Sequence, residues 1–116
     1  MGKLTTHVLD TANGCPGKGI ALRLYKCGKK DVLLAKAKTN ADGRCEVPLL
    51  SGTDFKTGKY RLEFDVAAYF KSKGTKLAKT PFLDVIVIDV GIADAGAHYH
   101  VPLLVSPYGY STYRGS

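Results

Sequence analysis

Hydrophobic and polar residues alternate along most of this chain with a period of two. Tyr60, Leu62, Phe64 and Val66 are interleaved with Arg61, Glu63 and Asp65, the pattern of a strand with one face on a core and the other toward solvent. The same alternation predicts strands over 4–10, 20–26, 32–39, 44–49, 83–90, 99–105 and 110–114. Turn formers separate them at Asn13-Gly14, Cys27-Gly28, Ala41-Asp42-Gly43 and Ser106-Pro107. The exception is 66–73, where Ala67, Ala68, Phe70 and Lys71 suit one short helix. Seven or eight short strands at this spacing predict an all-β fold, an antiparallel β-sandwich with one short helix. At 116 residues, the chain is expected to form a single domain, 1–116.

Parity then sorts the polar residues by face. On the first strand Leu4, Thr6 and Val8 point one way, and Thr5, His7 and Leu9 the other. Near the C-terminus Tyr99, Val101, Leu103 and Val105 make a core face, which sends His98, His100, Pro102 and Leu104 outward. His7 and His100 therefore belong to an outward face that is partly apolar. Such a face predicts association with another subunit.

Composition narrows the class. A content of 45% hydrophobic and 23% charged residues is that of an ordinary globular protein. Apolar runs such as Val85-Ile86-Val87-Ile88 fall far short of the roughly 20 residues that cross a bilayer. No apolar stretch of signal-peptide length follows Met1-Gly2-Lys3. The expected location is thus cytoplasmic, away from the membrane. Cys15, Cys27 and Cys45 are odd in number and lack CxxC spacing, which argues against a disulfide framework and a zinc site. Cys45, among alternating residues, reads as a small buried apolar side chain. The net charge of +7 comes from lysines with few aromatic residues between them and no nucleic-acid motif. It reads as solvated edges and loops, compatible with mild attraction for a small anionic substrate.

Four features carry chemistry. Leu4-Thr5-Thr6-His7-Val8-Leu9-Asp10 places a histidine in a strand, and Thr39-Asn40-Ala41-Asp42-Gly43-Arg44 is a tight turn delivering an arginine. His98-Tyr99-His100-Val101-Pro102 carries two more histidines, and the sequence ends in Tyr113-Arg114-Gly115-Ser116. In this order they resemble the 5-hydroxyisourate hydrolase family, enzymatic relatives of transthyretin, along nearly the whole chain. The Asp42-Gly43-Arg44 turn alone marks only a fold neighbourhood. The terminal tetrapeptide, with histidine at 7 and 100, separates the hydrolases from the hormone carrier.

The resemblance implies a prealbumin-like sandwich assembled as a homotetramer, with active sites at the dimer–dimer interface. It implies hydrolysis of 5-hydroxyisourate, a product of urate oxidation, to 2-oxo-4-hydroxy-4-carboxy-5-ureidoimidazoline, a cyclic-amidase reaction with no metal or organic cofactor. Its catalytic residues would be His7, Arg44, His100 and Ser116, with His7, Arg44 and Tyr113 binding substrate.

The residues suit that reaction on their own terms. Water addition to a ring carbonyl needs a base for the water's proton and an acid for the departing nitrogen, and histidine serves either purpose near neutral pH. Arg44 offers a rigid fork of donors for a carbonyl-rich substrate. The Ser116 hydroxyl and the terminal carboxylate could position substrate or water. Plainer readings compete: Arg44 capping its turn or pairing with Glu46, His98 as a mere neighbour, the tyrosines as interface packing. His98 and His100 share a face, yet no Asp, Glu or Cys at convincing spacing completes a metal site. The rival functions are a transthyretin-like carrier of a small ligand without turnover, and a purely structural sandwich domain.

Overall fold

The computed structural model describes residues 2–115. Among them nine strands run in chain order: β1 (Lys3–Asp10), β2 (Cys15–Pro16), β3 (Ala21–Lys26), β4 (Val32–Lys38), β5 (Leu50–Ser51), β6 (Gly58–Asp65), β7 (Val85–Ile92), β8 (His98–Ser106) and β9 (Gly109–Thr112). One helix, α1 (Val66–Ser72), follows β6 as expected. It turns Val66, Ala67, Tyr69 and Phe70 inward.

One sheet has the order β2-β1-β8-β9, with β5 paired to the other end of β1. The second has the order β4-β3-β6-β7. Alternate residues from both meet in one core: Leu4 and Val8 from β1, Leu103 and Val105 from β8, and Leu24, Leu62, Phe64 and Ile86 opposite. This is the expected sandwich, and the expected parity holds on both histidine strands.

Three expectations need correction. The pairing of β1 with β8 is parallel, whereas every other strand pairing is antiparallel. The two strands are separated by the whole second sheet, so no hairpin dictates their relative direction. Residues 44–49 are not a strand. Arg44 makes an isolated bridge to His7, and pairing resumes only at Leu50 opposite Leu4. More residues of this segment than of β1 lie between those two anchors, so the excess bulges outward, and Pro48 within it has no N–H to give a ladder. Cys45 is consequently half-buried, resting against the core rather than in it. Finally, β9 ends at Thr112, and Gly115 returns to the sheet as an isolated bridge to His100.

The turn before Arg44 is held by Asn40, whose side-chain oxygen accepts the backbone N–H groups of Asp42 (2.9 Å) and Arg44 (3.1 Å). Gly43 sits at φ +76°, and a Cβ there would run into the carbonyl oxygen of Val8. That carbonyl and the Val8 N–H, which bonds to the Gly43 carbonyl at 2.8 Å, lie next to His7 in β1. Replacing Gly43→Ala is therefore expected to destabilise the fold by at least about 1–2 kcal/mol from the left-handed backbone alone. Denaturant unfolding checks this; an unchanged midpoint would show that the turn is not constrained in this way.

Candidate active site

Strand register brings the sequence motifs together. In the β1–β8 ladder Thr5 is opposite His100, and His7 is opposite Pro102. The remaining edges of the two strands carry the other motifs: Arg44 bridges His7 on one side, and Gly115 bridges His100 on the other. Arg44, His7, His100 and Gly115 thus lie side by side on neighbouring segments, across the outer face of the sheet. The His7 and His100 rings are 6.4 Å apart between centroids, tilted by 35°, and the His98 ring is 6.1 Å from His100.

The bulge after Arg44 leaves an open depression of about 380 Å³ beside this row, lined by Lys3, Thr5, Arg44, Cys45, His98 and His100 among others. His7 is not among the lining residues; it joins the group through its proximity to His100 and its bridge to Arg44. Among the described residues Arg44 forms no ion pair, and Glu46, its suggested partner, instead accepts a bond from Asn40 Nδ2 at 3.2 Å. The guanidinium is left exposed at the cavity.

The C-terminal segment is tied down by its own residues. The Arg114 guanidinium lies 4.0 Å over the Tyr99 ring, a cation–π contact. The Gly115 N–H donates to the His100 carbonyl at 2.7 Å. A Cβ on Gly115 would stand 2.7 Å from His100 Cδ2. Glycine is thus the residue that lets the chain cross the imidazole without displacing it.

Electrostatics favour neutral rings. Partial burial first, and the positive charge of Arg44 second, hold His7 below its ordinary value of 6.5, although the backbone and charge of Asp42 oppose this. His100 is lowered by burial, then by Arg44, His98 and His7. Two neutral imidazoles beside a permanent cation form a set able to accept a proton, return one, and stabilise negative charge on oxygen.

The structure therefore gathers His7, Arg44 and His100. It does not bring Tyr113 to them: that ring is 61% exposed and borders a different depression, with Ile88, Tyr99 and Arg114. Ser116 lies outside the described residues. Thr5 and Lys3 were missed as lining residues, although Thr5 shares the parity of His7, the one signal that points to it. Among the described residues no group of three or more His, Cys, Asp or Glu is placed to hold a metal ion, and no helix is long and apolar enough to cross a membrane.

The profile of the HIUase/Transthyretin family matches residues 4–115. The chain belongs to that family. A Pseudomonas aeruginosa protein named 5-hydroxyisourate hydrolase is 55% identical over 117 residues, 100% of this chain and 93% of the relative. A crystal structure of (S)-allantoin synthase superposes with a TM-score of 0.95 at 47% identity over 99% of this chain. The present chain spans only 44% of that longer one. Sea bream transthyretin, solved with thyroxine, has a TM-score of 0.87 at 28% identity, covering 97% of this chain and 94% of its own. The fold is thus shared by proteins of different names, and what this member does rests on the side chains of the outer face.

A pH prediction follows from the two lowered histidines. Between their folded values and 6.5 the unfolded chain binds more protons, so the folded state loses stability as pH falls through that window. Ring-proton NMR titration is expected to place both His7 and His100 below 6.5, and Arg44→Met to raise both. A midpoint at or above 6.5 in the unsubstituted protein, or no upward shift on losing the arginine, would contradict the role given to burial and Arg44.

Proposed function

We propose that this chain hydrolyses 5-hydroxyisourate to 2-oxo-4-hydroxy-4-carboxy-5-ureidoimidazoline. The carrying observation is the transverse row itself, Arg44–His7–His100–Gly115 on adjacent segments of one sheet face, in a chain that is 55% identical to a protein named for that activity. Water adds to a ring carbonyl of the substrate. One imidazole takes the water's proton, and Arg44 steadies the oxygen on which charge develops. The C–N bond breaks as that proton, passed on by the imidazolium directly or through the other ring, is delivered to the departing nitrogen. Protons balance: the one taken from water is the one given to nitrogen, and both rings return to the neutral form. General acid–base groups of this kind contribute on the order of 10² to 10⁴ in rate. No metal or organic cofactor is invoked.

The site is proposed to be completed by assembly into a homotetramer, with the outer faces of facing dimers closing over the open depression. The exposed Val47 and Tyr110 support this, being large hydrophobic side chains exposed without a partner. Tyr113 then serves as a substrate contact from a facing subunit, consistent with its exposure away from its own histidines. Ser116 is assigned to positioning water or substrate, supported by the anchoring of the preceding Gly115 on His100. The partners are the small-molecule substrate and further copies of the chain, and the site of action is the cytoplasm. A carrier without turnover would need neither neutral imidazole beside the exposed guanidinium.

The test supplies 5-hydroxyisourate in situ from urate and urate oxidase and follows its ultraviolet decay. Decay faster than the spontaneous reaction is expected. His100→Ala should remove that acceleration while leaving a folded assembly of unchanged mass by light scattering. Decay at the spontaneous rate with the unsubstituted chain would overturn the proposal, and tight stoichiometric binding without turnover would favour the carrier.

A further inference from the structure

Sequence reasoning set His98 aside as a neighbour of the site. The structure joins it to His100 through a third side chain. The Thr5 hydroxyl lies 2.7 Å from His98 Nε2 and 2.8 Å from His100 Nδ1. The bond to His98 is exposed and the bond to His100 part-buried. Thr5 owes this position to the ladder, being directly opposite His100, while Lys3 is opposite His98. Its neighbour Thr6 faces the core and gives its hydroxyl to the Val101 carbonyl instead.

A hydroxyl has one proton to donate and lone pairs to accept with. Between two neutral imidazoles, Thr5 can donate to one ring nitrogen and accept from the other, and the choice sets both rings. If it donates to His100 Nδ1, then His98 must supply an Nε2–H, and both rings carry their proton on Nε2. If it donates to His98 Nε2, then His100 supplies an Nδ1–H, and both rings carry their proton on Nδ1. The two arrangements differ at His100 Nε2, which has no hydrogen-bond partner among the described residues. In the first that nitrogen is an N–H donor, and in the second a bare acceptor able to act as a base.

We propose that Thr5 and His98 are positioning residues of the reaction: the Thr5 hydroxyl locks the tautomers of His98 and His100 to each other and carries a proton between them. In the base form, a proton taken from water by His100 Nε2 lets the Nδ1 proton pass to the Thr5 oxygen. The Thr5 hydroxyl proton passes to His98 Nε2. The positive charge then rests on the exposed ring, and no bond other than N–H and O–H is made or broken. Return of the protons along the same three atoms restores the starting state. Partial burial of His100 and the permanent cation Arg44 at the cavity disfavour keeping the charge on that ring. The catalytic part of this inference rests on the hydrolase function proposed above; the coupling of the rings does not.

Thr5→Val keeps the side chain's shape and removes the hydroxyl. Its kcat is expected to fall by tenfold or more with KM within about twofold, a loss inside the range of acid–base contributions, and Thr5→Ser should recover most of it. His98→Phe should lower kcat to a similar extent. Full kcat in Thr5→Val, or no recovery in Thr5→Ser, would overturn the catalytic role. Nitrogen-15 spectra of the imidazoles test the coupling without turnover, so a chain inactive toward 5-hydroxyisourate would sink the function and still decide this point. The two rings should report the same tautomer in the unsubstituted protein and separate populations in Thr5→Val. Opposite tautomers, or spectra that Thr5→Val leaves unchanged, would overturn it.

Discussion

The parallel register of β1 against β8 is the constraint on which the rest depends. Leu4, Val8, Leu103 and Val105 are fully buried, so the inward faces of both strands are committed to the core. With a side-chain period of two, a slip of one residue in either strand would carry its core set to solvent and its histidines into the interior. Burial of four large aliphatic side chains, each worth about 1.5–3 kcal/mol, opposes that slip. The positions of His7, His98, His100 and Thr5 on one outer face are thus consequences of packing on the other face.

What surrounds the two strands makes that face the candidate site. Arg44 reaches His7 because the Asn40 side chain closes the preceding turn and Gly43 tolerates a left-handed backbone against the Val8 carbonyl. Gly115 reaches His100 because its missing side chain leaves room for the imidazole. The resulting set combines a permanent cation with rings that partial burial and that same cation keep neutral. Proton-transfer groups of unperturbed pKa near 6.5 are then available in their basic form at physiological pH. The chemistry is arranged by backbone pairing rather than by a loop that must close.

Much of this was legible in the sequence because alternation encodes faces. Parity alone placed His7 and His100 outward and identified the core face of β8. Alternation does not encode partners. Nothing in the pattern of β1 says that it pairs with β8, or that it does so in parallel, since the two are distant in sequence and no turn links them. The segment after Arg44 shows the opposite failure: its residues alternate, yet Pro48 and the wide spacing between the anchors at Arg44 and Leu50 make it a bulge. That bulge opens the cavity. Thr5 and His98 were on the correct face from the beginning, but their link is a distance of under 3 Å between side chains, which no periodicity reports. Tyr113 carries a family expectation that the single chain does not meet, its ring being exposed at a different depression from the histidines.

The central claim is that the transverse row works as one chemical unit. A double-mutant cycle on kcat/KM for 5-hydroxyisourate with His7→Ala, His100→Ala and both together tests it most directly. Groups that act in one proton-transfer unit are strongly non-additive, so the double variant should be within a few-fold of the more impaired single variant. Losses that multiply would mean that the two histidines act independently, and would contradict the claim.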